Sequence, residues 1–166
     1  MPSRCVKLAL MIEIQIPGFG HLELEHLVCD YNGTLALDGA LIEGVAPRIV
    51  ELSRCLSVHV LTADTYGTAE RGLASLPCGL TVIGARDQDQ EKAAFAARLG
   101  RTRVAAIGNG RNDRALLAGS ALAIAVLGNE GTAADAIERA HVLAPSILVA
   151  LDLLLNPRRL VASLRV

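Results

Sequence analysis

An aspartate, a threonine, a lysine and an asparagine-rich loop occur along this sequence, each soon after an apolar run. Asp30 ends the run HLVC, Thr62 and Ala63 follow VHVL, and the loop GNGRND, residues 108–113, follows RVAAI. Lys92 lies a little beyond the run LTVIG, near the start of a predicted helix. Each residue alone has an ordinary explanation as a helix cap, a turn former or a solvated side chain. Their recurrence after successive runs favours one shared site over coincidence.

These groups are suited to phosphoryl transfer to a carboxylate. An aspartate such as Asp30 can attack phosphorus and form an aspartyl-phosphate, which divides one difficult displacement into two easier ones. Mg²⁺ would be needed because two anions must meet. The Lys92 ammonium, the Thr62 hydroxyl and backbone N–H groups after Asp30 would hold the phosphoryl oxygens. Gly33 would let the backbone approach them closely.

The elements that must position these residues follow an α/β pattern. LMIEIQI alternates, PGFG has turn chemistry and HLELEHLVCD resumes the alternation, which predicts an N-terminal β-hairpin whose second strand runs on into the core. Short apolar runs then alternate with helical stretches, as is typical of a doubly wound, Rossmann-like parallel sheet. The predicted strands lie in VHVLTA, LTVIGA, RVAAIG, ALAIAV and AHVLA. The predicted helices lie near residues 45–55, 67–75, 89–99, 111–118 and 132–139, and two closing helices start at Ser146 and Pro157.

The chain is predicted to form one domain over residues 1–166 without a separate cap domain. Residues 1–24 are expected to form an N-terminal extension and hairpin, and either Met1 or Met11 could be the true start. LALDGALIEG, residues 35–44, has two turn-forming glycines and is predicted to form a small flap. Ligands of parallel sheets bind beyond the carboxyl ends of the strands, so the polar residues are expected to converge there on an open site.

Composition limits the partners. Sixteen Lys and Arg residues against seventeen Asp and Glu residues give a net charge of −1, so no global field attracts nucleic acid or anionic lipid. Aromatic residues are only 2%, which disfavours stacking on single-stranded nucleic acid. No run is long enough to span a membrane and no signal peptide is recognised. The four cysteines lack CxxC spacing, so we expect reduced thiols in the cytoplasm. An unpaired hairpin edge could be covered by a second subunit, giving a homo-oligomer.

The motifs resemble those of the haloacid dehalogenase (HAD) superfamily of phosphohydrolases, and particularly a soluble protein related to the phosphorylation domain of P-type ATPases. The resemblance runs from about residue 24 to the C-terminus. DYNGT corresponds to the first family motif, Thr62 in LTAD to the second, Lys92 in EKAAFAARLG to the third and GNGRNDRALL to the fourth. TAD also resembles the ATPase TGD, with Asp64 in the matching place.

The resemblance implies a role for each matching residue. Asp30 would be the nucleophile, and Thr62 and Lys92 would bind phosphate. Mg²⁺ would be held by Asp30, the backbone carbonyl of Asn32, Asn109 and Asp113. The substrate would be a small phosphorylated molecule. The residues expected to contact it are Gly33, Thr34, Thr62, Ala63, Lys92 and Asn112.

Two residues depart from the family pattern. Asn32 stands where the phosphatases have an aspartate that protonates the leaving group and activates water, a function worth on the order of 10² to 10⁴ in rate. The P-type ATPases also lack that aspartate, and their phospho-aspartate is long-lived. Asn109 stands where the family has a metal-binding aspartate. One lost charge at a few ångströms is worth roughly 4 kcal/mol, so we expect weak Mg²⁺ binding, with Asp113 compensating in part.

These departures leave more than one function open. The first is a slow Mg²⁺-dependent phosphohydrolase or phosphotransferase. The second is a non-catalytic module that binds a phospho-ligand or accepts a phosphoryl group, although the chain lacks the early acidic pair of a receiver domain. A dinucleotide enzyme is disfavoured because GNGRND has Asp113 where a third glycine belongs. A doubly wound domain with incidental polar strand ends is the remaining alternative.

Overall fold

A six-stranded parallel sheet forms the centre of the computed structural model, which describes residues 11–64 and 67–166. The strands are β1 Ile12–Ile16, β2 Gly20–Leu24, β3 His26–Asp30, β4 Ala36–Leu37, β5 Ala40–Leu41, β6 Ser57–Thr62, β7 Gly79–Val82, β8 Val104–Gly108, β9 Leu122–Val126 and β10 Val142–Ala144. The helices are α1 Val45–Leu52, α2 Thr68–Leu73, α3 Gln88–Leu99, α4 Arg114–Ala118, α5 Ala134–Arg139, α6 Ile147–Leu155 and α7 Pro157–Leu164.

The order of the strands places a switch point beside the end of β3. The sheet runs β10-β9-β8-β3-β6-β7, and each neighbouring pair is parallel. The chain therefore proceeds from β3 outward through β6 and β7, and then returns to the other side of β3 through β8. Ligands of such sheets bind in the crevice where this reversal occurs. The predicted doubly wound parallel fold is confirmed, and its crevice lies between the ends of β3 and β8.

Helices cover both faces of the sheet. Leu27 and Cys29 of β3 belong to the core that also includes α1, α2, α6, α7 and the hairpin, whereas Val28 belongs to the core formed with α3, α4 and α5. Side chains alternate between faces along a strand. Asp30 therefore follows Val28 in register and lies on the side of α3 and α4. That alternation explains why residues of α3 and of the loop before α4 can reach it.

The N-terminal hairpin is present, but it is separate from the central sheet. β1 and β2 are antiparallel, with Ile14 paired with Leu22 and both buried against the core. The prediction that the second hairpin strand runs on into the core strand is wrong, because the chain changes sheets at Glu25. There the backbone N–H of Glu25 donates to the carbonyl of Arg103, and its carbonyl accepts from Ser57. Residues 1–10 of the predicted extension lie outside the described residues.

The predicted flap segment contains a short antiparallel hairpin of β4 and β5. Its turn uses left-handed backbone at Asp38, with φ 51°, and at Gly39, with φ 82°. The Tyr31 hydroxyl donates to the Gly39 carbonyl at 3.2 Å, which ties this turn to the chain just after β3. The hairpin therefore lies close to Asp30 in space as well as in sequence.

The helices begin and end near their predicted positions. Ser146 caps α6, since its hydroxyl accepts the N–H of Val149 at 3.2 Å, and Pro157 opens α7. The predicted helix over 111–118 is divided into a 3-10 turn, Arg111–Asp113, followed by α4. This turn places Asp113 at the sheet edge.

Within the described ranges, no helix is both long enough and apolar enough to cross a membrane. Cys29 is buried, and Cys55 and Cys78 are partly exposed. Cys5 lies outside the described residues. The cytoplasmic location and the homo-oligomer stay predictions.

Candidate active site

A buried lysine joins two aspartates at the end of the central strand. Lys92, in the second turn of α3, donates to Asp30 Oδ1 and to Asp113 Oδ1, each at 2.7 Å from its Nζ. Lys92 and Asp113 are 1% and 0% exposed, and Asp30 is 6% exposed. Burying three ionisable groups is costly unless they are paired, so this arrangement is typical of a functional site.

Burial and the neighbouring charges shift the pKa of Asp30 and the pKa of Lys92. Burial, together with the negative charge of Asp113, raises the pKa of Asp30 to about 7, although the Lys92 ammonium acts in the opposite direction. Burial alone would lower the pKa of Lys92, but the two carboxylates outweigh it and raise that pKa. Lys92 therefore stays protonated at neutral pH. When both aspartates are ionised, the three groups carry one net negative charge.

Asp113 also organises the loop after β8. Its Oδ2 accepts the backbone N–H groups of Asn109 at 3.0 Å and Gly110 at 2.9 Å. Gly108 is required for this approach, since a Cβ there would lie 2.5 Å from Asp113 Cγ. Both carboxylate oxygens of Asp113 thus have protein partners. This geometry favours a positioning role, and direct metal ligation by Asp113 stays a prediction.

Thr34 and Asn109 lie on one side of Asp30. The Thr34 hydroxyl lies 3.3 Å from Asp30 Oδ2 and 3.1 Å from Asn109 Oδ1, so these two oxygens are close enough for one ligand to reach both. Thr34 was expected to contact substrate, but it is fully buried and bridges these two side chains. We call this the metal side of Asp30, because the sequence resemblance predicts Asn109 as a metal ligand.

The oxygens on the metal side suit Mg²⁺ but supply little charge. Mg²⁺ prefers oxygen ligands and usually retains several waters. The Asp30 carboxylate and the Asn109 carboxamide are of that type, and the backbone carbonyl of Asn32 stays a predicted third ligand. The described part of the chain contains no group of three or more His, Cys, Asp or Glu residues arranged to hold a metal. One carboxylate and neutral oxygens fit a hydrated Mg²⁺, and its weak binding stays a prediction.

β6 and β8 flank β3 on opposite sides, so Thr62, at the end of β6, lies across Asp30 from Asn109, and the Asn32 side chain extends toward Thr62. We call this the phosphate side. The Asn32 side-chain amide donates toward the Thr62 hydroxyl at 3.5 Å, and the Thr62 hydroxyl also accepts the N–H of Asp64 at 3.2 Å. Ala63 follows directly after β6. Asn112 is held apart from this pair, since its side-chain amide donates to Gln88 at 2.8 Å. Its contact with substrate stays a prediction.

Gly33 is needed for close packing against neighbouring side chains, and its contact with substrate stays a prediction. Its φ of 77° is left-handed, and a Cβ at this position would lie 2.5 Å from Asn109 Nδ2 and 3.0 Å from Glu130 Oε2. Sequence reasoning overlooked Glu130. It lies in the loop after β9, so the rule that identified the other residues, a polar group following an apolar run, would also have found it.

Solved structures with this fold include phosphatases. A Streptomyces avermitilis protein whose name proposes a HAD family hydrolase has a TM-score of 0.63 at 16% identity, covering 79% of this chain and 84% of that one. The cobalt-bound deoxy-D-mannose-octulosonate 8-phosphate phosphatase of Haemophilus influenzae has a TM-score of 0.66 at 15% identity, with coverages of 82% and 90%. The Moraxella catarrhalis 3-deoxy-D-manno-octulosonate 8-phosphate phosphatase, in complex with magnesium, phosphate and KDO, has a TM-score of 0.63 at 14% identity, with coverages of 86% and 94%. The chain thus has the fold of the HAD hydrolases.

One relative is similar in sequence. The uncharacterized protein MJ0073 of Methanocaldococcus jannaschii is 44% identical over 63 residues, which are 38% of this chain and 68% of that protein. The chain belongs to the same family as this protein. No protein-family model matches the sequence.

Proposed function

We propose that this chain is a Mg²⁺-dependent HAD phosphohydrolase or phosphotransferase that acts slowly through an aspartyl-phosphate at Asp30. The observation that carries the proposal is the buried group of Asp30, Lys92 and Asp113 at the switch point of a HAD-like fold. Helix caps and surface ion pairs do not explain a lysine that is 1% exposed between two carboxylates. The phosphate would take the place of Asp30 as a partner of the Lys92 ammonium.

The first step forms a bond from Asp30 to phosphorus. An Asp30 oxygen attacks the phosphorus atom, the bond from phosphorus to the leaving-group oxygen breaks, and that oxygen takes a proton from water. Oδ1 lies beside Lys92 and Oδ2 on the metal side, which favours Oδ1 as the attacking atom. Lys92 and Thr62 would hold the phosphoryl oxygens. Bound Mg²⁺ would neutralise part of the negative charge where the two anions meet.

The second step returns Asp30 to its free state. Water attacks phosphorus, the bond to the Asp30 oxygen breaks, and inorganic phosphate leaves. The Asn32 carboxamide does not ionise near neutral pH, so it cannot act as a general acid in the first step or as a general base in the second. Its amide instead donates toward Thr62. We therefore expect a long-lived phosphoryl adduct, as the proposed relation to the P-type ATPases implies.

The substrate we propose is a small phosphorylated molecule. Two structures with this fold are phosphatases of an octulosonate 8-phosphate, one of them in complex with magnesium and phosphate. Their fold supports phosphoryl transfer as the class of reaction. It does not identify the group that carries the phosphate in this chain's substrate. The second candidate is a phosphoacceptor or phosphate-binding module, which the neutral residues Asn32 and Asn109 favour.

The test is intact-mass spectrometry after incubation with acetyl phosphate and Mg²⁺. Wild type should gain one phosphoryl group, Asp30→Asn should gain none, and Asn32→Asp should lose the group at least tenfold faster. Asp38→Asn makes the same chemical change at an exposed aspartate and should behave as wild type.

The outcomes separate the two candidates. Repeated release of phosphate by the wild type identifies an enzyme, whereas a single stable phosphoryl group without turnover identifies a phosphoacceptor module. An adduct that persists in Asp30→Asn would show that another residue is modified, and the proposed nucleophile would be wrong.

A further inference from the structure

Glu130 lies against the candidate active site without belonging to any of the motifs. It is an exposed residue of the loop between β9 and α5. Its Oε2 would lie 3.0 Å from a Cβ on Gly33, and Nδ2 of Asn109 would lie 2.5 Å from the same Cβ. The carboxylate and the carboxamide therefore pack side by side over Gly33. The only charge in this pair belongs to Glu130.

One oxygen of Glu130 is held in place and the other is open. Oε1 accepts the backbone N–H of Asp38, in the turn of the flap hairpin, at 2.7 Å. Oε2 has no hydrogen-bond partner within the described part of the chain. A carboxylate fixed through one oxygen is oriented in advance, so its second oxygen can bind a ligand at a smaller entropic cost.

The side on which Glu130 lies decides between two roles. A replacement for the missing acid and base would have to lie with Asn32 and Thr62, on the phosphate side of Asp30. Glu130 instead lies beside Asn109, whose Oδ1 is 3.1 Å from the Thr34 hydroxyl on the metal side. Its charge is therefore placed where the family pattern loses one.

Space for water adjoins Gly33, Thr34 and Glu130. A cavity of about 180 Å³ is lined by Gly33, Thr34, Asn129 and Glu130 together with apolar residues of the flap and of α6. At about 30 Å³ per molecule it holds several waters. Mg²⁺ keeps part of its water shell in proteins, and carboxylates commonly bind those waters.

We propose that Glu130 supplies, through Mg²⁺-bound water, the negative charge that Asn109 lacks. The inference rests on the proposed function, since it assigns a further residue to the same metal site. Asp30 and neutral oxygens hold the ion directly. Glu130 binds the ion's water from the loop after β9, which its contact with Asp38 ties to the flap hairpin. The site then carries the same charge as one with aspartate at position 109, with that charge moved outward by one water layer.

The measurement is the dissociation constant for Mg²⁺, by isothermal titration calorimetry at low ionic strength without substrate. Glu130→Gln keeps an acceptor for the Asp38 N–H and removes the charge. Its dissociation constant should be about tenfold weaker than that of the wild type, at the low end of the range for outer-sphere partners because the side chain is exposed. Glu138→Gln removes the same charge from the exposed face of α5 and should stay within twofold of the wild type.

A double variant tests compensation directly. Asn109→Asp in the Glu130→Gln background restores one charge on the metal side, so affinity should return to within about threefold of the wild type. Hydrogen exchange of the Asp38 amide should be unchanged in Glu130→Gln, which confirms that the flap contact persists.

Two results would overturn the role of Glu130 and leave the proposed function intact. One is a Mg²⁺ dissociation constant of Glu130→Gln within twofold of the wild type, and the other is a double variant that binds Mg²⁺ as weakly as Glu130→Gln. Asp30→Asn distinguishes failure of the metal site itself. If the wild type binds no Mg²⁺ and Asp30→Asn behaves identically, both the metal dependence under the proposed function and the role of Glu130 are wrong.

Discussion

Replacing Asp30, the proposed nucleophile, should stabilise the protein at alkaline pH, which is unusual for a buried residue with an ion-pair partner. Asp30 lies 2.7 Å from Lys92, but Asp113 shares the same ammonium at the same distance. Asp30→Asn therefore leaves a balanced pair of one cation and one anion. It also removes a carboxylate whose burial disfavours its charged form.

The magnitude follows from the displacement of the pKa. Burial, reinforced by Asp113, raises the pKa of Asp30 from 3.8 to about 7. Each unit corresponds to about 1.4 kcal/mol, so the ionised group disfavours the folded state by about 4 kcal/mol at pH 8. Because the folded-state pKa is raised, this penalty is absent below pH 3.8 and grows until the pH exceeds about 7. At pH 5.5 it is about 2 kcal/mol.

The assay is urea unfolding followed by far-ultraviolet circular dichroism, since the chain has no tryptophan. The stability difference between Asp30→Asn and the wild type should shift by about 2 kcal/mol in favour of the variant from pH 5.5 to pH 8. The variant should be the more stable protein at pH 8. These experiments are done without Mg²⁺, which would stabilise the wild-type carboxylate.

Asp113→Asn is the matched control. Asp113 has the same contact with Lys92, but it also accepts two loop N–H groups, so this change should cost about 2 to 4 kcal/mol at pH 8. An Asp30→Asn protein that is less stable than wild type at pH 8, or a stability gap that is equal at both pH values, would refute the reasoning. The Lys92 pair would then outweigh the cost of burying Asp30.

Three other changes test the surroundings of the site. Gly33→Ala should lower stability by about 1 to 3 kcal/mol in urea unfolding, because φ is 77° and the new Cβ would lie 2.5 Å from Asn109 Nδ2. Tyr31→Phe removes the hydroxyl that donates to Gly39 at 3.2 Å, so amides of the flap hairpin should exchange several-fold faster in hydrogen-exchange measurements. Burial lowers the pKa of His141 below 6.5, so its stabilising contribution is complete above pH 6.5 and is lost as pH falls. His141→Gln should therefore gain stability relative to the wild type as pH falls from 7 to 5.5, measured as the change in the difference between their urea midpoints.

Each of these three predictions has an outcome that would contradict it. Wild-type stability in Gly33→Ala would show that the Asn109 side chain moves aside at no cost. Unchanged flap exchange in Tyr31→Phe would show that the hydroxyl does not anchor the turn. A difference in midpoint between His141→Gln and the wild type that is the same at pH 7 and 5.5 would show that His141 does not contribute to the pH dependence.

Local patterns in the sequence were sufficient to predict the order and type of the main strands and helices. Apolar runs, turn residues and caps such as Ser146 depend on neighbouring residues, so their positions agree with the structure to within a few residues. The change of sheets at Glu25 was missed, because alternation continues through HLELEHLVCD whichever strand it pairs with. Pairing with β6 and β8, which decides where β3 begins, is a long-range property.

The sequence by itself determined that Asp30, Thr62 and Lys92 follow apolar runs, and the rule for parallel sheets was enough to expect them at one edge. Only the tertiary structure decided their mutual arrangement, with Lys92 buried between Asp30 and Asp113. It also brought Glu130, one hundred positions after Asp30, onto the metal side. The physical reason is that a side chain's face and partners depend on strand order and packing between distant segments. Periodicity and spacing act only over neighbouring residues.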